Sequence, residues 1–293
     1  MNCAILASKD GWHVQVLARV LERRGGRARR LPVEALVGCV GGGGDGRPDR
    51  LSAAGAALDR FDAVIVRAIP SGSLEQVIFR MDALHRLERL GVPIVNPPCA
   101  IERTVDKYFT STLVEDAGLP TPPSVVCERF EQAMVAFEAL GGDVVVKPLF
   151  GAEGRGMVRV TDLDMAHRVF RALELTRAVF YLQRFIPHAN QDIRAFVVAG
   201  EVVAAMRRQG VHWKTNVAQG GRAEFLQLSS GLAELAVQAA AVVGAPVAGV
   251  DLLPAETGET YVIEVNGIPG WRGLQRVTPF DIAEVIVDYI DGQ

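Results

Sequence analysis

Residues 249–270 read GVDLLPAETGETYVIEVNGIPG, which is the pattern of a β-hairpin. Two apolar strand patterns flank residues 256–259, a polar stretch whose glycine suits a short hairpin loop. A hairpin centred on this loop places Asp251 directly opposite Glu264, with both side chains on one face of the strand pair. The segment therefore predicts antiparallel strands that carry a pair of acids.

A third oxygen-bearing side chain shares the face of this acid pair. Asn266 is two residues beyond Glu264, and residues two apart on a strand point to the same side. Like charges opposite each other on neighbouring strands repel, which favours a cation between Asp251 and Glu264. Carboxylate and amide oxygens suit Mg²⁺ or Mn²⁺, with water and phosphate oxygens in the other positions. The alternative is that the acids are solvated hairpin residues without a metal.

A lysine and a glycine-rich loop form a second polar feature, in VVVKPLFGAEGRGMVRV, residues 144–160. Lys147 ends a run of valines, and a lysine with its stem buried in a strand is expected to meet an anion. Gly154 and Gly156 let backbone N–H groups approach phosphate oxygens closely. The spacing G-x-x-G-x-G differs from the dinucleotide G-x-G-x-x-G, which argues against a nicotinamide-dependent reductase. The loop predicts phosphate binding, with an ordinary tight turn as the alternative.

The order of apolar segments divides the chain into three parts. Up to residue 98, short apolar runs alternate with amphipathic helical patterns, which is typical of a parallel, helix-covered sheet. Residues 99–182 begin with a helix and continue as a mixed unit around the glycine loop. Residues 183–293 predict a largely antiparallel sheet. The fold class is therefore α/β in the first part and α+β in the rest.

The predicted elements follow this division. Strands are expected at residues 3–7, 63–66, 92–95, 144–147, 157–160, 179–185, 193–198, 202–206, 249–253 and 261–265, with another from residue 125. Helices are expected at residues 14–24, 74–90, 100–117, 130–140, 165–175, 233–243 and 281–290. Residues 41–46 are glycine-rich, but no Lys-Ser or Lys-Thr follows them, so they predict a surface loop.

Composition and charge exclude several classes of protein. The chain has 293 residues and a formal net charge of −3, which gives no reason to expect binding to nucleic acid or to an anionic membrane. No apolar run approaches the roughly 18 to 20 residues of a membrane helix, and residues 1–10 lack a signal-peptide pattern, so a cytoplasmic protein is expected. The four cysteines are scattered without a CxxC pair, so disulfides and structural zinc are not expected.

Several ordered motifs resemble the RimK-like branch of the ATP-grasp superfamily. They are DK at 106–107, AGLPTP at 117–122, the glycine-loop segment at 144–160, LQRFIPHANQDIRAFVVAGEVVAAMRR at 182–208, AGVDLLP at 248–254 and YVIEVNGIPGW at 261–271. The resemblance implies an ATP-grasp fold with ATP held between two sheets. Its domains would be an N-terminal preATP-grasp domain at 1–98, a linker helix with the central lid at 99–182, and a C-terminal ATP-grasp subdomain at 183–293.

The resemblance also implies roles for individual residues. The expected contacts to ATP are two phosphate lysines, two lid glycines, an adenine-pocket strand that offers backbone groups, and an acid near the ribose: Lys107, Lys147, Gly154, Gly156, Gln183, Phe185, Ile186 and Asp192. The expected metal ligands are Asp251, Glu264 and Asn266. The residues expected to handle triphosphate, acyl phosphate or substrate carboxylate are Arg194, Arg207, Lys214 and Asn216, with Arg207 as the oxyanion contact. Arg184 stands where many relatives carry an acid.

The activity implied is ATP-dependent carboxylate–amine ligation. The γ-phosphoryl group of ATP would activate a carboxylate as an acyl phosphate, which an amine then attacks. Residues 66–96 are similar to the enzymes that add glutamate to tetrahydromethanopterin and related one-carbon coenzymes. The expected partners are L-glutamate, a small carboxylate acceptor and further copies of the chain in a homodimer or tetramer. Candidate substrate contacts are Arg67, Ser71, Arg80 and His188.

Other activities stay open at this point. Within the ligase class, glutamate could be joined to a protein C-terminus or to an amino-group carrier of lysine biosynthesis. A different class is a nucleotide-binding or scaffold protein that keeps the fold without turnover. The intact set of Asp251, Glu264 and Asn266 argues against that class, because a decayed site would tolerate loss of a metal ligand.

Overall fold

The computed structural model describes residues 1–41, 49–151, 154–215 and 221–293. Most of the glycine-rich stretch 41–46 therefore lies outside the described residues, as does the predicted site residue Asn216. Within the described ranges, none of the helices combines the length and the apolar character needed to cross a membrane.

The first part of the chain is a parallel sheet with helices, which confirms the architecture expected from the alternating pattern. Its elements are β1 (Asn2–Leu6), α1 (Trp12–Arg23), β2 (Arg27–Leu31), β3 (Leu36–Gly38), β4 (Leu51–Ala53), β5 (Ala56–Ala57), β6 (Ala63–Val66), α2 (Leu74–Arg89) and β7 (Ile94–Val95), with short 3₁₀ helices at Val33–Ala35 and Leu58–Arg60. The parallel strands lie in the order β2-β1-β6-β7, and β3, β4 and β5 form a small antiparallel sheet. Strand β2 was not predicted, because its sequence RARRL is mostly charged; it occupies an edge of the sheet.

The single helix predicted at residues 100–117 is wrong, because the chain forms two helices there. They are α3 (Pro98–Val105) and α4 (Lys107–Asp116), and they are separated by Asp106. Asp106 has extended backbone angles, and its carboxylate accepts hydrogen bonds from the N–H groups of Tyr108 (2.9 Å) and Phe109 (3.1 Å). It is therefore the N-cap of α4. As a result, Lys107 begins a helix instead of lying in the middle of one.

The central part is an antiparallel sheet covered by two helices. Its elements are β8 (Ser124–Cys127), α5 (Phe130–Ala139), β9 (Val144–Lys147), β10 (Val158–Val160), α6 (Leu163–Leu175) and β11 (Phe180–Arg184). The strand order is β10-β9-β11-β8. Its apolar core is built from its own residues, around Phe130, Phe137, Phe170 and Phe180. We call this unit the lid.

The last part is an antiparallel sheet with a helix on one face. Its elements are β12 (Gln191–Val198), β13 (Glu201–Gln209), β14 (Arg222–Phe225), α7 (Ser230–Val243), β15 (Val247–Pro254), β16 (Thr260–Asn266), α8 (Arg272–Gln275) and α9 (Ile282–Asp291). The strand order is β14-β13-β12-β15-β16. Alanines of α7 pack on one face of this sheet. The other face carries the polar residues of the site at one end and an apolar core at the other.

That second core joins the first and last parts of the chain. It includes Leu17 of α1, Phe196 of β12, Trp271 and Ile286 of α9. Helix α9 also pairs with α1 through charges, since Arg24 Nη1 lies 2.6 Å from an oxygen of Asp288. Residues from the last part of the chain therefore complete the apolar packing on the parallel sheet.

Candidate active site

A cleft lies between the lid sheet and the last sheet, with about 810 Å³ of space including its solvent-open mouth. Predicted site residues that line it are Lys107, Lys147, Gly154, Gln183, Phe185, Ile186, Asp192, Lys214, Asp251 and Glu264. Polar side chains from both sheets thus meet in one space.

The two acids of the hairpin lie opposite each other, as the sequence predicts. Strands β15 and β16 pair Asp251 with Glu264 and Gly249 with Asn266. The register shifts by one residue between Asp251 and Leu252, so the register predicted from the loop holds on the site side of this bulge and is offset by one residue on the loop side. Asp251 is buried (2% exposed), and Glu264 is partly buried.

Two arginines hold the buried Asp251. Arg194 makes a two-point contact, with Nε at 2.6 Å from Oδ1 and Nη2 at 2.7 Å from Oδ2. Arg208 adds Nη2 at 2.9 Å from Oδ2. Burial alone would raise the pKa of Asp251, but the attraction of Arg194 and Arg208 outweighs it and lowers this pKa to about 2. The carboxylate is therefore charged throughout the neutral pH range.

The structure places Arg208, and not the predicted Arg207, in the cleft. Arg208 is 3% exposed, and its Nε and Nη2 each lie 2.6 Å from an oxygen of Asp192. Arg207 pairs with Ile193 on the opposite face of the sheet and is exposed. Arg207, predicted to contact the reacting atoms, is not among the residues that line the cleft. Strand alternation would have identified Arg208, because it lies directly opposite Asp192.

Two lysines approach the acids from other elements. Lys147 Nζ donates to Gln183 Oε1 at 2.6 Å, and Lys107 Nζ donates to the carbonyl of Gly151 at 2.7 Å. Burial lowers the pKa of Lys147 to about 8; the charge of Glu264 opposes this shift, and that of Lys107 adds to it. Burial also lowers the pKa of Lys107, again opposed by Glu264. The two ammonium groups and Glu264 therefore share one electrostatic environment.

The remaining predicted contacts are already partly engaged within the protein. The N–H of Phe185 donates to the carbonyl of Asp143 at 2.9 Å, so this group, expected to meet the adenine edge, is paired inside the lid. Asp192, expected near the ribose, also accepts from Thr215 Oγ1 at 2.5 Å. Lys214 Nζ donates to the Met157 carbonyl at 2.7 Å and so reaches the lid.

Other predicted positions have structural partners. His188 is buried, and its ring nitrogens lie 2.6 Å from the Ile186 carbonyl and 2.9 Å from the Trp213 carbonyl. Arg184, exposed on the lid, donates through Nε to the Leu140 carbonyl at 3.2 Å. Trp213, Thr215 and Arg208 also line the cleft and were not predicted. Gly156, with a φ of +74°, is not among the lining residues.

Comparison with known proteins identifies the family. A profile of the RimK-like ATP-grasp domain matches residues 104–290. The chain is also 38% identical over 240 residues to a tetrahydromethanopterin:alpha-L-glutamate ligase of Methanocaldococcus jannaschii, with 80% of each chain covered. The chain belongs to the RimK-like ATP-grasp family. A further RimK-like relative is a probable alpha-L-glutamate ligase of Aliivibrio fischeri, 32% identical over 94% of this chain and 90% of the relative.

Solved structures show the same ATP-grasp fold. The ligase PsnB, complexed with minimal precursor, Mg and ADP, superposes with a TM-score of 0.74 at 22% identity, over 99% of this chain and 97% of PsnB. A RimK domain protein from Sphaerobacter thermophilus superposes with a TM-score of 0.76 at 21% identity, over 99% of both chains. The predicted ATP-grasp fold is therefore confirmed.

The acid pair suits a divalent metal by its donor chemistry. Asp251 and Glu264 supply carboxylate oxygens on one face, and the Asn266 amide oxygen accepts one hydrogen bond from the Ile268 N–H at 2.9 Å, which leaves its second lone pair. Within the described ranges, no three or more His, Cys, Asp or Glu residues form a metal-binding group. Two carboxylates and an amide oxygen are hard ligands of the kind that Mg²⁺ takes, with water and phosphate oxygens in its other positions.

Proposed function

We propose that this RimK-like ATP-grasp protein is an ATP-dependent ligase that adds L-glutamate to a carboxylate of a small coenzyme. The observation that carries the proposal is the meeting of Lys107, Lys147, Asp251 and Glu264 in one cleft between two sheets. Relatives at 38% and 34% identity are tetrahydromethanopterin:alpha-L-glutamate ligases, which supports a coenzyme of that pterin type as the acceptor. PsnB, solved with Mg and ADP, supports the same pair of ligands here.

The chemistry follows from the charges around the cleft. A carboxylate oxygen of the acceptor attacks the γ-phosphorus of ATP, ADP leaves, and an acyl phosphate forms. The glutamate amine then attacks the acyl carbon, inorganic phosphate leaves, and the amine loses its proton. Lys107 and Lys147 bind and neutralise phosphate oxygens through both steps. Mg²⁺, held by Asp251 and Glu264 with Asn266, would neutralise charge on the transferring group.

The arginines of the site have a different role. Arg194 and Arg208 fix the Asp251 carboxylate from two sides and add positive charge at the end of the cleft where oxyanions develop. Lys214 reaches the Met157 carbonyl, so it helps to seat the lid that keeps water from the acyl phosphate. Asn216 keeps its proposed substrate role from the family resemblance. A cytoplasmic location and a homo-oligomeric assembly remain predictions.

The test is a coupled assay of ADP release and product mass. The protein is incubated with ATP, Mg²⁺ and L-glutamate, with or without a coenzyme fraction that contains pterin carboxylates. We expect ADP release that requires both glutamate and the coenzyme, and a product heavier by one or more glutamyl residues. ADP release with a protein C-terminus or an amino-group carrier instead would assign the alternative acceptor. ATP binding without ADP release under any of these conditions would support a non-catalytic nucleotide-binding protein.

Raising the pH through about 8 is expected to weaken the use of ATP. Below that value Lys147 is protonated and can neutralise phosphate; above it, the free enzyme loses this charge because burial lowers the pKa of Lys147 to about 8. We expect kcat/KM for ATP to fall by about tenfold per pH unit above the pKa, since this parameter reports groups of the free enzyme. Lys147→Arg, which stays charged, should remove the fall. A wild-type profile that is flat to about pH 9.5 would contradict the assignment.

A further inference from the structure

A second polar cluster lies at the edge of the parallel sheet. Within the described residues, the buried side-chain polar atoms without a hydrogen-bond partner are Ser8 Oγ, Arg67 Nε and Trp271 Nε1. Ser8 and Arg67 follow the paired strands β1 and β6, and the Arg67 N–H donates to the Leu6 carbonyl at 2.8 Å. The Arg67 guanidinium carbon lies 4.8 Å from the Trp271 ring centroid. Arg67 and Trp271, which both carry unpaired donors, are therefore neighbours.

Arg67 is a cation without an acidic partner in the described part of the chain. Its Nη2 donates to the Pro269 carbonyl at 2.7 Å, but no ion pair with a described carboxylate involves it. Burial lowers the pKa of Arg67 to about 10, a value at which the group stays charged at neutral pH. A buried charge without a counter-charge is costly, so proteins seldom keep one without a ligand or a partner.

The surroundings of Arg67 are positive or neutral. His13 Nε2 accepts a hydrogen bond from the Trp271 N–H at 3.0 Å, so the proton of the neutral ring is on Nδ1, where it can be donated. Burial, together with the charges of Arg67 and Arg272, lowers the pKa of His13 to about 4, so this ring is neutral at pH 7. We call His13, Arg67 and Trp271 the Arg67 cluster. It offers hydrogen-bond donors and a positive charge to one anion.

The Arg67 cluster is connected to the phosphoryl-transfer end of the cleft through a single residue. Pro269, whose carbonyl binds Arg67, packs against Gly249: a Cβ added at Gly249 would lie 3.2 Å from Pro269 Cβ and 3.8 Å from Arg194 Nε. Gly249 lies in β15, two residues before Asp251. The Arg67 cluster is therefore one packing layer away from the Arg194–Asp251 pair.

We propose that the Arg67 cluster is a carboxylate-binding subsite for a non-reacting carboxylate of a substrate. The inference rests on the proposed ligase function, because that function supplies two substrates with such groups. Glutamate reacts through its amine and carries two spare carboxylates, whereas the coenzyme acceptor carries carboxylates besides the one that is phosphorylated. Carboxylate recognition is the shared chemistry, and the binding test separates the two sources.

The test is calorimetric binding with Mg²⁺ and a non-hydrolysable ATP analogue present. L-Glutamate and the coenzyme acceptor are titrated separately into wild type, Arg67→Gln, Arg67→Lys and the control Arg60→Gln. Arg60 is an exposed arginine of the same sheet region, with 79% side-chain exposure. We expect Arg67→Gln to weaken one of the two ligands about 10- to 100-fold, as loss of a hydrogen bond to a charged group does. Arg67→Lys should restore part of the affinity, while Arg60→Gln and the nucleotide affinity should not change.

Two further measurements identify the carboxylate that is bound and keep the proposal testable if the Arg67 variants misfold. If glutamate is the ligand, glutamine and isoglutamine each replace one carboxylate by an amide, and only one of them should lose the sensitivity to Arg67→Gln. Trp271→Phe removes an unpaired buried N–H and keeps an aromatic ring, so it should lower the affinity for the same ligand several-fold. The Trp271→Phe result does not depend on the folding of the Arg67 variants.

The outcomes separate the two proposals. Unchanged affinities for both ligands in Arg67→Gln and Trp271→Phe would overturn the carboxylate subsite, even if the wild type forms product. Wild type that binds neither ligand would overturn it as well. Carboxylate binding that depends on Arg67, combined with no product in the coupled assay, would overturn only the proposed ligase activity.

Discussion

Asp251→Asn is expected to reduce kcat/KM by about a thousandfold or more and to destabilise the protein. The substitution removes one of the two carboxylates proposed to hold Mg²⁺, and a loss of about 4 kcal/mol of transition-state stabilisation corresponds to that factor. It also removes the counter-charge of Arg194 and Arg208, both in direct contact with this carboxylate. Breaking a buried ion pair on one side costs about 3 to 5 kcal/mol. Steady-state kinetics and thermal unfolding would measure the two effects.

Glu264→Gln is the matched control for this prediction. Glu264 lies opposite Asp251 on the same hairpin but is not paired with either arginine in the described structure. We expect it to lose activity on a similar scale while its Tm stays close to that of wild type. Full activity in either variant would contradict the proposal that Asp251 and Glu264 hold the metal. Equal loss of Tm in both would show that the arginine contacts do not distinguish the two acids.

Arg208→Met is expected to lower the Tm by roughly 5 to 8 °C. Arg208 lies between Asp192 and Asp251, and its removal leaves two buried carboxylates without their shared cation. The expected destabilisation of about 3 to 5 kcal/mol converts to that shift for a chain of this size. Activity should also fall, because the position of Asp251 depends on this contact. Differential scanning calorimetry at neutral pH measures the main effect.

Arg207→Met provides the control for Arg208→Met, because it changes the same residue type one position away. Arg207 is exposed and lies on the opposite face of β13. Surface changes of this kind usually alter stability by no more than about 0.5 kcal/mol, so Tm should barely move. A larger loss of stability or of kcat in Arg207→Met than in Arg208→Met would reverse the assignment of these two residues.

Much of the site could be predicted because its geometry is local. Counting outward from one short loop predicts the pairing of Asp251 with Glu264, and the structure has this pair, although a one-residue bulge lies between it and the loop. Lys147 was found for a similar reason, since a lysine that ends a buried strand signals an anion. In both cases, the periodicity of one or two strands carries the information.

The parts that were missed depend on contacts between distant segments or on single side chains. Asp106 ends one helix and begins another through its own carboxylate, which overrides the continuous helical pattern around it. The family pattern pointed to Arg207, whereas the register of β12 and β13 selects Arg208. Trp271 contacts His13 and Arg67, which lie more than two hundred residues earlier in the chain. No periodic pattern in the sequence indicates such contacts.

The separation of the apolar cores limits how this enzyme can open. The lid core consists of lid residues, while one continuous core runs from Leu17 to Phe196 and Ile286 across the other two sheets. Where the lid meets the rest, contacts include single polar bonds such as Lys107 to Gly151 and Lys214 to Met157. Moving the lid as a rigid body therefore breaks a few such bonds and exposes little apolar surface to water. Separating the other two sheets would expose the apolar core that they share. We therefore expect the lid, and not the two sheets that share a core, to move when the cleft opens.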